Sequence, residues 1–133
     1  MKATELRYQS ILPDLSSHLK KIKEISGGSS DLLINEIEIC GIRTALICCE
    51  GMVSTSTMTE LILHPLMNLK LDNPSPAALF NKIENRMLLS VDRPVAYNYE
   101  DFFRLLNSGF AMLAADGQDS VLAFGVQRYD KRG

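Results

Sequence analysis

The run Ala45-Leu46-Ile47-Cys48-Cys49 carries no charged or strongly polar side chain at any position. Because neighbouring side chains of a strand point to opposite faces, such a run must be buried on both of them. Phe110 to Ala115 and Val121 to Val126 share this character. A chain with three such strands needs a covering layer on the sheet, and helical patterns elsewhere in the sequence supply it. The expected fold class is therefore α/β: a mixed central sheet with helices packed on it, as a single small domain spanning 1–133.

The covering helices are legible from spacing. Leu12, Leu15, Leu19, Ile22 and Ile25 recur at helical intervals. Pro13 is the expected first helical residue there, and Gly27-Gly28 the stop. Leu32 to Ile39 alternates, with Ile37 and Ile39 on one face and Glu36 and Glu38 on the other; Cys40-Gly41 then turns the chain into Ile42 to Cys49. Ser54 to Thr57 offer N-caps, and Thr57-x-x-Glu60 fits a capping box ahead of Met58, Leu61, Ile62, Leu66 and Leu69. Pro65 inside that stripe should kink or end the helix. Ser75-Pro76 opens a helix lined by Leu79, Phe80, Ile83 and Met87, and Leu88 to Val91 is a candidate short strand before the turn Asp92-Arg93-Pro94. Asn98 should cap a helix burying Tyr99, Phe102, Phe103 and Leu106, closed by Ser108-Gly109. Asp116-Gly117 reads as a two-residue hairpin turn with Gly117 at positive φ. The tail from Arg128 to Gly133 is polar and leads out of the domain.

Composition excludes several function classes. The net charge of −2 gives no basic face for phosphate backbones, so nucleic acid is not an expected partner. Uninterrupted apolar runs reach six residues at Phe110 to Ala115, against roughly 20 for a bilayer span. Lys2, Glu5 and Arg7 break any early apolar run of a signal peptide. Cys40, Cys48 and Cys49 form no CxxC pair and have no histidine at zinc-ligand spacing, so no metal site is expected and the thiols read as small hydrophobes of a reducing, cytoplasmic compartment. Cys48 and Cys49, adjacent in a strand, should face opposite ways.

Few residues can carry chemistry. Glu50 and Asp116 each end an apolar strand ahead of a glycine, in "ALICCEGMV" and "AMLAADGQD", so the pair is expected at one edge of one sheet. There they could pair around a ligand amine or a metal; as plain turn formers their carboxylates would bond nearby amides instead. His18 falls on the polar side of the first helix and reads as a surface residue. His64 precedes Pro65 at the helix break and lacks a partner at i+4 for a metal pair. No nucleophile–base pair and no glycine-rich phosphate loop follows a strand, so the chain is read as non-catalytic, with no cofactor.

Three ordered stretches resemble the N-terminal soluble domain of GerA-family spore germinant receptor A subunits. They are "LKKIKEISGGSSDLLINEIEI", "GIRTALICCEGMVSTSTMTELILHPLMNL" and "LLNSGFAMLAADGQDSVLAFGVQRYDKR". Glu50-Gly51-Met52-Val53 stands where the family has Asp-Gly-Leu-Val, Pro65-Leu66-Met67 matches its Pro-Leu-Met, and Asp116-Gly117 its Asp-Gly. Glu50, Phe110 and Tyr129 depart from the family's aspartate, aspartate and tryptophan, which fits a divergent member or a relative such as the stage V sporulation protein AF type.

The resemblance implies a sensing or assembly domain of a germination receptor, relaying a nutrient germinant signal or docking other receptor subunits. A purely structural assembly domain is the first alternative, and a small enzyme using Glu50 and Asp116 the second. The implied partners are other receptor subunits and a small nutrient germinant. The implied location is the cytoplasmic side of the spore inner membrane, reached only through the remainder of a longer chain. The tail 128–133 stands where the family's linker to a second subdomain begins, which places an interface around Val126 and Tyr129.

Overall fold

A computed structural model describes residues 9–28, 31–86 and 94–125. Helix α1 (Leu15–Ile25) comes first, then strands β1 (Leu32–Ile39) and β2 (Ile42–Cys49). Next come α2 (Thr55–Met58), a π-helical stretch (Thr59–Leu63), α3 (His64–Met67) and α4 (Pro76–Arg86). The chain closes with β3 (Val95–Ala96), α5 (Tyr99–Leu106), β4 (Phe110–Ala115) and β5 (Val121–Gly125). The candidate strand Leu88 to Val91, Met87 and the tail from Val126 onward lie outside the described residues.

The five strands form one sheet in the order β1-β2-β4-β5-β3. The α/β architecture is as expected, but every pairing is antiparallel rather than mixed. The reason is where the long connection returns. β2 ends at Cys49, and β4 starts at that same end of the sheet, with Ile47 opposite Met112 and Thr44 opposite Ala115. A strand entering where its neighbour leaves must run antiparallel.

Two cores result, one on each face. Leu46, Cys48, Leu113 and Phe124 pack under Ile62, Leu66, Leu79 and Ile83, whereas Ala45, Ile47, Met112 and Ala123 pack under Leu19, Ile22, Phe102 and Leu106. The sheet is thus the middle of three layers, which is what consecutive apolar positions in β2 and β4 require. Cys48 and Cys49 do face opposite cores.

Local punctuation is mostly as expected. Cys40 (φ 53°) and Gly41 (φ 80°) make a two-residue turn between the paired Ile39 and Ile42. Ser75 Oγ accepts from Ala78 N at 3.0 Å and Asn98 Oδ1 from Asp101 N at 2.8 Å, so both caps form.

Three expectations are corrected. Pro13 precedes α1 rather than opening it, because Asp14 takes the N-cap and its carboxylate accepts from Ser17 N at 3.0 Å. Ser54, not Thr57, caps the next helix, its hydroxyl accepting from Thr57 N at 3.4 Å. Asp116-Gly117 does not close a two-residue hairpin: β4 ends at Ala115 and β5 begins at Val121. Gly117 nevertheless has φ 97°, with Gln118 N donating to Ala115 O at 3.0 Å.

Pro65 neither ends nor breaks its helix. The ring of a proline collides with the carbonyl four residues back, and it donates no hydrogen bond. The chain widens to π register just before it, where His64 N donates to Thr59 O, and then continues as α3.

Candidate functional site

At the end of the sheet where β2 leaves and β4 enters, α1 and α5 both terminate. Ser26 is the C-cap of α1 and Asn107 that of α5. Between them lies a groove of about 410 Å³, floored by Leu32 of β1 and Cys49 of β2 and walled by Phe103 and Leu106 of α5. Asp31, just ahead of β1, is the one charged residue among those that line it. Asp31 O accepts from Glu50 N at 2.7 Å, which pins the rim of the groove to the turn after β2. The Cys49 thiol donates to Asn107 Oδ1 at 3.9 Å. Burial, and then the negative charge of Asp31, push that thiol's pKa up, so it stays protonated and is a poor nucleophile.

The opposite end of the same face holds a different arrangement. Asp116 Oδ1 accepts from Leu15 N at 2.9 Å, and Gly117 N donates to Pro13 O at 2.7 Å. The acid after β4 thus satisfies one of the orphan amides at the start of α1 and fastens that helix to the sheet. One turn further on, His18 is 1% exposed, its Nδ1 lying 2.8 Å from the Tyr99 hydroxyl. Its ring stacks on Tyr99 and meets Phe102 edge-on, with centroids 5.5 and 5.4 Å apart. Nε2 is buried without a hydrogen-bond partner among the described residues. Burial lowers the His18 pKa to about 4, because a charged imidazole would lose its water there.

The comparisons with known proteins decide what kind of chain carries these features. The model of the Bacillus/Clostridium GerA spore germination protein family matches residues 20–133. The chain belongs to the GerA spore germination protein family. It is 27% identical over 130 residues to spore germination protein KA of Bacillus subtilis (strain 168), an alignment covering 92% of this chain and 23% of that protein. It is similar in structure to the N-terminal domain of the A subunit of the Bacillus megaterium spore germinant receptor GerK3. That match has a TM-score of 0.78 and 29% identity, and covers 91% of this chain and 49% of the other. The GerA-family chain therefore spans about a quarter of one relative and half of the other.

Within this GerA-family domain the two candidate acids are not brought together. Asp116 N donates to Arg43 O at the start of β2, whereas Glu50 follows the end of that strand. Seven residues of extended chain separate the two levels, roughly 20 Å. The shared edge expected from the "ALICCEGMV" and "AMLAADGQD" echo holds only as far as one sheet; antiparallel pairing sends the two ends apart. Glu50 and His64 are exposed, and Val126 and Tyr129 lie outside the described residues.

His18 is the residue that sequence reading misplaced. Its position carried the signal: Leu15, His18, Leu19 and Ile22 fall at i, i+3, i+4 and i+7 of one face. The groove gave no such signal, since its lining comes from α1, β1, β2 and α5. No helix among the described residues is long and apolar enough to cross a membrane.

Proposed function

We propose that this domain acts by contact, as a non-catalytic sensing or assembly module of a germination receptor, docking on other receptor subunits or on further parts of its own chain. The observation that carries the reading is the wide separation of Glu50 and Asp116, the two acids that the strand pattern pointed to, in a domain whose family is named for germination and not for a reaction. Its partial coverage of the relatives supports reading it as one part of such a receptor; in this reading the membrane is met through the rest of the receptor, with the domain on the cytoplasmic side. The docking contact is placed around Val126 and Tyr129, since aromatic anchors dominate such interfaces.

Germination itself tests the reading. In spores whose receptor carries this domain, Tyr129→Ala should slow nutrient-triggered germination while leaving the protein level unchanged. Glu50→Gln and Asp116→Asn together should leave no catalytic defect to find. A small-molecule turnover lost in that double variant would replace the contact reading with the enzymatic one.

A further inference from the structure

We propose that the outer edge of β1 pairs antiparallel with the β1 edge of a second copy of this chain, centred on Asn35, so that two sheets join into one. The edge itself comes first. Among the described residues β1 has a strand neighbour only on its β2 side. The opposite edge of the sheet is partly closed: just past β3, Ile11 N donates to Tyr97 O at 3.1 Å and Tyr99 N to Gln9 O at 3.0 Å. β1 is also the longer edge, eight residues against two, and an uncovered edge is a template for another strand.

The phase of the ladder fixes which backbone groups are on offer. A two-residue turn leaves its flanking pair, here Ile39 and Ile42, exchanging both hydrogen bonds, and such pairs alternate along the strands. Leu33, Asn35 and Ile37 therefore bond to β2, while Leu32, Ile34, Glu36 and Glu38 turn N–H and C=O outward. Two hydrogen bonds agree with this phase. Thr44 Oγ1 donates to Ile37 O at 2.7 Å, which places that carbonyl on the β2 side. Asp116 N donates to Arg43 O at 2.9 Å, so Arg43 bonds toward β4 and not toward Glu38 opposite it.

The side chains select a second copy and a single register. With a two-fold axis at Asn35, residue 34 meets 36, 33 meets 37 and 32 meets 38. Every outward residue then faces an outward residue, and each N–H finds a C=O. Leu33, 36% exposed, lies against the half-buried Ile37 of the second copy, and symmetry repeats the contact. Glu36 and Glu38 face Ile34 and Leu32 rather than one another. An axis at Glu36 or Ile37 would set glutamates face to face, and one at Leu33 or Ile34 would leave Glu38 beyond the other strand. The two Glu36 carboxylates approach only diagonally. Their repulsion is offset, because each has Arg43 of its own chain at 3.3 Å and Lys20 and Lys23 beside the same hollow.

This contact stands apart from docking through Val126 and Tyr129, and either could fail while the other held. Sedimentation of the intact chain from ~1 µM to ~1 mM should show a monomer–dimer equilibrium, weak because one strand pair is a small interface. Glu36→Pro removes an outward donor at an exposed edge position, which the monomer tolerates. It should weaken dimerisation by about tenfold or more while leaving the melting temperature of the dilute chain unchanged. Asn35→Cys tests the register: on mild oxidation the new thiols should link two copies, since Cβ atoms of directly opposed residues lie about 4.5–5.5 Å apart. Leu33→Cys faces Ile37 and should link far less, with the native chain as the baseline for Cys40, Cys48 and Cys49. A chain that stays monomeric at the highest concentration, a dimer unmoved by Glu36→Pro, or equal linking from positions 35 and 33 would each overturn the proposal. If Glu36→Pro fails to fold, the comparison of Asn35→Cys with Leu33→Cys decides it.

Discussion

His18 shows how position can override residue type. A histidine on a helix is usually read as surface, yet this one sits on the face that α1 turns to the sheet and to α5. Its depressed pKa makes a signed prediction. The folded state keeps His18 neutral down to about pH 4, whereas an unfolded histidine takes its proton near 6.5. Between those values the unfolded chain binds more protons, so stability falls as the pH drops through that window and levels off below it. The shift corresponds to roughly 3 kcal/mol in full, about 2 of which should be lost by pH 5. Urea melts of the native chain and of His18→Leu, at pH 7 and pH 5, isolate this group: the variant should lose markedly less stability on acidification. Parallel losses in both would show that His18 is not the titrating group.

The two turn acids diverge at the same scale. Asp116→Ala removes the cap on Leu15 N and should cost about 1–2 kcal/mol, while exposed Glu50→Ala should stay within about 0.5 kcal/mol. Gly117→Ala should cost roughly 1–2 kcal/mol, since φ is 97° and a Cβ there would lie 3.2 Å from Pro76 Cγ. Gln118→Ala is the control and should do little. Similar small changes for Gly117 and Gln118 would contradict the turn geometry. The role of Asp116 was hidden from sequence because its partner lies 101 residues away.

At the scale of elements, period and punctuation carried most of the fold. β1, β2, β4 and β5 declared themselves by alternation or by unbroken apolar runs, and the caps at Ser75 and Asn98 by residue type. Direction was not legible, because whether β4 runs with or against β2 depends on where some 60 intervening residues bring the chain back. That one unknown misplaced Glu50 relative to Asp116. Pro65 is the second lesson: a helix can absorb a proline by widening one turn. Pro65→Ala restores an amide donor and should let 59–63 return to α register, seen as new slow-exchanging amides near residue 65. An unchanged exchange pattern would mean that the wide turn has another cause.

For the molecule as a whole, the three layers leave β1 and the short β3 as the sheet's edges, and place the groove and the α1 fastening at opposite ends of one face. Among the described residues neither end assembles a nucleophile with a base, which accords with the proposed action by contact. Its most direct test is binding of the folded 133-residue chain to the separately expressed remaining segments and subunits of a GerA-type receptor, followed by biolayer interferometry. Saturable binding at micromolar concentration, weakened about tenfold or more by Tyr129→Ala, is the expected result. No saturable binding at high micromolar concentration, with the domain shown to be folded, would contradict it.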